Sequence, residues 1–337
     1  MMRNSSKPTA KPKTSEKLKG LIEAEIKKFG NKCDLNHIDI SLVNNFYCLF
    51  LNSSFSGNIS KWNTSGVKNM AHMFEDSKFN GDISGWDVSG VTHMNSMFCD
   101  SKFNGDISKW NVSSCADMSL MFTYSKFNGD ISQWDVSEVA NMSFMFQASE
   151  FNGDISKWDV SGVTDMRSVF TNSNFNGDIS KWNILKVTNI GRMFHHSKFN
   201  GDISGWDTSH ITDMNLTFSH SEFNGDISRW DVSKVEDMGS MFFGSKFNKN
   251  ISSWDVSSAK NMTRMFCESE FKEDVSSWDR FSTMDEKSMF SGSAIAKKLG
   301  IEGPSFDEVK SYFINLRLAT ELQGALSRQS QVTKIRL

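Results

Sequence analysis

Aspartates recur along this sequence at a spacing that could build a row of carboxylates. An Asn-Gly-Asp tripeptide returns every 24 residues and supplies Asp82, Asp106, Asp130, Asp154, Asp178, Asp202 and Asp226. In stacked repeats, neighbouring carboxylates ~5 Å apart would repel unless their charges are satisfied. Either each aspartate accepts hydrogen bonds from its own turn amides, or a column including Asp82, Asp106 and Asp130 binds calcium. The first hypothesis is favoured, because the calcium-binding β-roll repeat is shorter and richer in glycine.

Three histidines are the other candidates for metal chemistry. His196 and His220 lie one repeat apart in the same column, and His195 precedes the first of them. Zinc would need a third and a fourth ligand, and the acidic residues of that column, Asp100 and Glu268, lie several repeats away. We therefore expect surface histidines and no metal site.

Apolar residues at variable positions suggest a binding surface instead. Positions +2 and +3 after the first Met of each repeat and the two positions after its second Phe change almost freely between repeats, and we expect them to point outward. Apolar side chains grouped on a polar, variable face are typical of binding sites, although scattered surface apolar residues are common. The candidate partner-binding residues are Leu120, Tyr124, Phe144, His196, Leu216 and His220.

The elements that position these residues are set by a strict repeat. All ten tryptophans are spaced by 24 residues, from Trp62 to Trp278, and two columns of phenylalanine accompany them. The aromatic residues are thus accounted for by the repeat and do not indicate a cofactor site. Units this small cannot bury their own apolar face, so they must stack on their neighbours. The sequence predicts a solenoid.

One unit, FNGDISGWDVSGVTHMNSMFCDSK from Phe79, shows two local patterns. Trp86 and Val88 alternate as in a short strand. The apolar positions from Val91 to Phe98 have helical spacing, with Ser89 as a candidate N-cap. We therefore predict an α/β repeat solenoid with stacked short parallel strands on one side and short helices on the other.

The ends depart from the repeat. We predict a disordered basic tail over residues 1–20, an N-terminal cap helix over 21–34, ten to eleven coils over 35–293, and a C-terminal cap helix and tail over 294–337. Terminal caps cover sheet edges that would otherwise associate. With both caps in place, we expect a monomer.

The repeat string resembles a known family. DISxWDVSxVTxMxxMFxxSxFN, as in Asp130–Phe146 (DISQWDVSEVANMSFMF), is similar to the BspA-like leucine-rich-repeat bacterial surface proteins. The resemblance covers about residues 35–293, although the family's units are slightly longer. It implies a leucine-rich-repeat-like fold, a surface location, and adhesion or host interaction.

Charge and hydropathy exclude two classes of partner. The net charge is −3, and because both ends are basic, the repeats are acidic. We therefore expect no nucleic acid to bind along the array. No run approaches the ~18 apolar residues of a membrane span. Residues 1–20 have no apolar core of a signal peptide, so we expect an intracellular protein or export by a non-classical route.

These observations predict a non-enzymatic interaction scaffold that binds a protein through its variable face. No nucleophile–base pair or phosphate-binding glycine loop stands outside the repeat consensus, so we expect no catalytic residues and no cofactor. The alternative is a structural or ligand-ladder solenoid of the calcium-stabilised or ice-binding type. Ice binding would require a flat ladder of identical threonines, whereas the serines at 77, 101, 125 and 149 precede Lys or Glu.

Overall fold

The computed structural model describes residues 10–279 and 285–335. Its backbone winds into coils of one repeat each, joined in parallel register by single-residue bridges. The bridged residues are Asn45, Asn69, His93, Asp117, Asn141, Asp165, Asn189, Asp213, Asp237, Asn261 and Asp285. Because successive residues of this column are 24 apart, one repeat makes one coil. The predicted repeat solenoid is confirmed.

The predicted α/β detail within each coil is wrong. Within the described residues, the repeats contain no helix, and their strand pairing is limited to isolated bridges. A coil is instead a succession of four-residue turns. In the unit from Phe79, the N–H of the last residue donates to the carbonyl of the first in the turns 83–86, 88–91, 94–97 and 98–101. Ser89 therefore caps no helix, and both its N–H and its hydroxyl donate to Asp87 Oδ1, at 3.0 and 2.6 Å.

Hydrogen bonding between coils explains why no helix forms. A helix would direct each N–H to a carbonyl four residues back along the same segment. Here the N–H of Met94 donates to Asp117 O in the next coil at 3.0 Å, and that of Ser96 donates to Ser119 O at 2.9 Å. The backbone donors therefore join coils, and the Met-Phe spacing reflects two consecutive turns.

The core consists of aromatic ladders. The rings of Phe74 and Phe98 stack with their centroids 5.8 Å apart, and those of Trp62 and Trp86 stack at 6.3 Å. Each of the ten indole N–H groups donates to a carbonyl 27 residues earlier, as Trp158 Nε1 does to Ile131 O at 3.1 Å. The tryptophan column therefore both fills the core and joins adjacent coils.

The N-terminal cap begins earlier than predicted. Helix α1 spans Ser15–Phe29, with Thr14 as its N-cap, and it buries Leu18 and Ile22. Ala10 forms a parallel bridge with Ile38 of the first coil. Residues 10–20 are therefore not a disordered tail, while residues 1–9 of that prediction lie outside the described residues.

Two helices follow the repeats, α2 over Ala294–Leu299 and α3 over Phe306–Ile335. A capping box opens α3, since Ser305 N–H donates to Glu308 Oε2 and Glu308 N–H donates to Ser305 Oγ. The first turns of α3 bury Phe306 and Phe313, whereas Leu322 is 65% exposed. The helix therefore begins as a cap and continues away from the core. None of the helices in the described part of the chain is long and apolar enough to cross a membrane.

Candidate partner-binding face

Two consecutive turns of every coil form one side of the solenoid, which we call the double-turn face. The third residue of each turn has a positive φ, near +50 to +60°. The first turns contribute Cys48, His72, Ser96, Leu120, Phe144, Ser168, Arg192, Leu216, Ser240, Arg264 and Ser288. The second turns contribute Asn52, Asp76, Asp100, Tyr124, Ala148, Asn172, His196, His220, Gly244, Glu268 and Gly292. All six predicted partner-binding residues occupy such positions.

The left-handed conformation is costly for residues other than glycine, at roughly 1–2 kcal/mol each. It persists where the surroundings enforce it. Leu120 N–H donates to Ser143 O at 2.9 Å, and Leu216 N–H donates to Gly239 O at 2.9 Å. Each strained residue is thus held by the adjacent coil, and the backbone of the face has one defined geometry whatever side chain it carries.

The structure separates the predicted residues into two groups. Leu120, Tyr124 and Phe144 come together in adjacent coils, and we call them the apolar group. Tyr124 is 56% exposed, while Leu120 and Phe144 are half-buried. The guanidinium of Arg167 lies 5.9 Å from the centroid of the Phe144 ring. The apolar group therefore has a cation at its margin.

The second group lies further along the face, at His196, Leu216 and His220. The rings of His196 and His220 stack with centroids 4.5 Å apart and planes 10° apart. His195 is half-buried rather than a surface residue, with its ring 4.3 Å from that of His196. Burial lowers the pKa of His195 to about 4. Burial, followed by the neighbouring His220, lowers the pKa of His196.

Sequence reasoning missed the neighbours of this second group, namely Arg192, Phe243 and Gly244. It also missed the left-handed turns, although the second-turn column carries a signal for them. Glycine, asparagine and aspartate tolerate positive φ, and they occupy six of its eleven positions, including Asn52 and Gly292. The helical spacing of the apolar residues obscured this signal.

The Asn-Gly-Asp tripeptides lie outside this face and serve structural roles. Asn104 N–H donates to Asn80 Oδ1 in the preceding coil at 2.8 Å. A Cβ on Gly81 would lie 2.8 Å from the Phe79 ring, so glycine is required there by close packing. Asp82 Oδ1 accepts hydrogen bonds from the N–H and the hydroxyl of Ser84 at 2.9 and 2.7 Å.

These hydrogen bonds stabilise the charged form of each carboxylate. The side-chain bond from Ser84, then its backbone bond, lowers the pKa of Asp82. The bonds from Ser132 likewise lower the pKa of Asp130. No group of three or more His, Cys, Asp or Glu residues within the described ranges is arranged to hold a metal ion. The geometry thus favours the turn hypothesis for the aspartate column over the calcium hypothesis.

Comparison with known proteins agrees with the repeat architecture. A family model described as "Mycoplasma protein of unknown function, DUF285" matches three successive stretches, residues 22–126, 123–222 and 195–301. No curated protein and no solved structure matches the chain. The matched stretches run from residue 22, within α1, through the coils and α2 to residue 301, which is most of the sequence. The chain therefore belongs to the repeat family described as Mycoplasma proteins of unknown function, DUF285.

Proposed function

We propose that this protein is a non-enzymatic interaction scaffold that binds a partner protein through the double-turn face. The observation that carries the proposal is the position of the apolar group. Leu120, Tyr124 and Phe144 lie on a rigid, regularly spaced backbone, and none of them belongs to the aromatic ladders of the core.

The division between core and face supports this function. In the core columns the same residue types recur, because every coil must fit the next. On the double-turn face the backbone is uniform while the side chains change from coil to coil. Repeat proteins bind partners through extended surfaces of this kind, whose side chains differ while the scaffold stays the same. Large aromatic and aliphatic anchors held near the centre of such a surface carry most of the binding energy in protein interfaces.

The resemblance to BspA-like leucine-rich-repeat surface proteins supports a finer proposal. The partner would be a protein of another cell, and the role would be adhesion or host interaction. This part rests on the repeat string alone, and it requires the chain to reach the cell surface. Surface labelling of intact cells with a membrane-impermeant reagent tests that requirement.

The binding role is tested with Leu120→Asp combined with Phe144→Asp. The matched control is Ser240→Asp combined with Ser288→Asp, which adds the same charge at the same column of left-handed positions. Each protein is immobilised and exposed to host-cell extract, and retained proteins are quantified by mass spectrometry. Thermal melting of each variant checks that the fold is intact.

We expect the control variant to retain the same proteins as the unmodified chain. The Leu120/Phe144 variant should lose them, with its melting temperature nearly unchanged, because half-exposed anchors contribute more to binding than to folding. Retention of the same proteins by the Leu120/Phe144 variant would place the binding surface elsewhere on the solenoid.

A further inference from the structure

The second group on the double-turn face is a cluster of nitrogen-bearing side chains. His195, His196 and His220 form a chain of ring contacts, at 4.3 Å between the first two and 4.5 Å between the last two. Arg192 lies in the same coil as His196, at the third position of the preceding turn, and its side chain is exposed. We call these four residues the imidazole patch.

The ring of His220 is held in place by its surroundings. It contacts the Phe243 ring edge-on at 4.8 Å, and its backbone N–H donates to Phe243 O at 2.7 Å. A Cβ on Gly244 would lie 2.5 Å from His220 Nδ1, so the missing side chain at Gly244 leaves room for the imidazole. The stack is therefore ordered before any partner binds, which reduces the entropic cost of binding.

The electrostatic surroundings of the patch are cationic. The charges that act on His195 are those of His196, Arg192 and His220, and each of them disfavours its protonation. Carboxylates on the flanking coils are engaged elsewhere. Asp165 pairs with Arg167 at 2.8 Å, and Glu222 pairs with Lys246. Glu268 lies two coils beyond His220.

Two further carboxylates lie in the bridge column beside the patch. Asp213 accepts a hydrogen bond from Asn189 Nδ2 at 2.9 Å. Asp237 accepts hydrogen bonds from Asn215 Nδ2 at 3.2 Å and Asn261 Nδ2 at 2.9 Å. Both therefore have amide partners within the bridge column, and the exposed side chains of the patch are those of Arg192, His196 and His220.

We propose that the imidazole patch binds an acidic segment of the partner protein and binds it more tightly in acid than at neutral pH. The proposal rests on the proposed function in one respect: it assigns the same partner protein a second contact on the double-turn face, two coils from Phe144. Charge complementarity identifies the occupant: the patch gathers one fixed cation and a stack of imidazoles, which carry positive charge when protonated.

The direction of the pH effect follows from the protonation of the rings. Burial lowers the pKa of His195 and of His196, so at neutral pH these rings are uncharged and Arg192 is the fixed cation. Aspartate or glutamate side chains beside the rings favour the protonated imidazoles. Binding then takes up protons, and by linkage the affinity rises as the pH falls.

An octa-aspartate peptide with a fluorescent label tests this on the full chain. Its carboxylates, with an ordinary pKa of about 3.9, stay ionised at the lower pH used. Binding is measured by anisotropy at about pH 7.5 and about pH 5.5 in low salt. Uptake of one proton gives up to ~10-fold tighter binding per pH unit, which sets a limit of ~100-fold over this range. We expect the affinity to rise by about 10-fold between the two pH values.

Three variants locate the effect. His196→Gln combined with His220→Gln should remove the pH dependence, whereas Arg192→Gln should weaken binding at both pH values. Gly244→Ala changes no charge but displaces the His220 ring, so it should weaken binding as well. The matched control is His72→Gln on the same face, because His72 already pairs with Glu75 and should not contribute.

Several results would overturn the proposal. These are equal affinity at the two pH values, a pH effect that survives in the His196/His220 variant, and equal binding of an octa-asparagine peptide. Loss of binding on adding a chelator, with recovery on adding zinc, would show that the patch binds a metal ion rather than an acidic segment. The Leu120/Phe144 variant should bind the peptide normally, so failure of the apolar group as a binding site is distinguishable from failure of the patch.

Discussion

The left-handed turns and the helix that the sequence pattern suggests predict opposite effects of a glycine substitution on stability. Ser240 has φ +54°, is half-buried, and donates its N–H to Thr263 O at 2.8 Å. Glycine in a helix interior destabilises a protein by roughly 0.5–1 kcal/mol relative to alanine. Glycine in a left-handed turn removes a strain of roughly 1–2 kcal/mol. Substituting Ser240 therefore discriminates between the two structures.

The expected magnitude follows from these two terms. For Ser240→Gly, relief of strain exceeds the added entropy of the unfolded chain, so the free energy of unfolding should rise by about 0.5–1 kcal/mol. For Ser240→Val it should fall by about 1–2 kcal/mol, because a β-branched residue is a strong outlier at positive φ. The two variants should differ by about 2 kcal/mol.

Urea unfolding followed by circular dichroism measures these differences. The control position is Gln133, which is exposed and lies outside the left-handed columns. Gln133→Gly should cost roughly 0.5–1 kcal/mol, since no strain is relieved there to offset the entropy. If Ser240→Gly were destabilising to the same extent as Gln133→Gly, the double-turn geometry would be refuted.

Four further predictions concern the core, the cap and the aspartate column. Trp158→Ala should lower the free energy of unfolding by about 3–5 kcal/mol, and Trp158→Phe should lower it by about 1 kcal/mol because the bond to Ile131 O is lost. Urea unfolding measures both changes. A loss under 1 kcal/mol for the alanine variant would contradict a buried tryptophan column. Deletion of residues 305–337 should cause self-association in size-exclusion chromatography, because α3 no longer covers the last coil; a monomer with an unchanged melting temperature would show that α3 is not a cap. Calcium and chelator should leave the melting temperature unchanged, and a calcium-dependent rise would favour the calcium hypothesis. Because folding lowers the pKa of Asp130, this carboxylate stabilises the protein at a pH above its ordinary pKa. That stability is lost as the pH falls through the pKa that Asp130 has in the folded protein. Asp130→Asn should therefore reduce the loss of melting temperature in acid.

The candidate site was predicted in part. The variable columns were identifiable because a stacked repeat leaves few positions whose residue type can change. Leu120, Tyr124 and Phe144 are recognisable there as large apolar residues among mostly polar ones. The grouping of His196 with His220 followed from the period. The half-burial of His195 and the space provided by Gly244 were not predictable, since both depend on how side chains of neighbouring coils pack.

The N-terminal cap shows a similar limit. The cap helix was predicted over residues 21–34, whereas α1 begins at Ser15 and ends at Phe29. The start at Ser15 was missed because its first turns are rich in lysine and serine, which resemble a solvated tail. Contact of Leu18 with the first coil stabilises these turns, and that contact is absent from any local pattern.

The sequence by itself determined the period, the solenoid and the identity of the core. Ten tryptophans and two phenylalanine columns at one interval can bury their rings together only if each repeat makes one coil. Only the tertiary structure decided between helix and turns in the Met-Phe segment. Both conformations place the same apolar residues inward, and they differ in where the backbone N–H groups donate. That choice depends on the neighbouring coil, whose carbonyls accept the bonds that a helix would have kept within the segment.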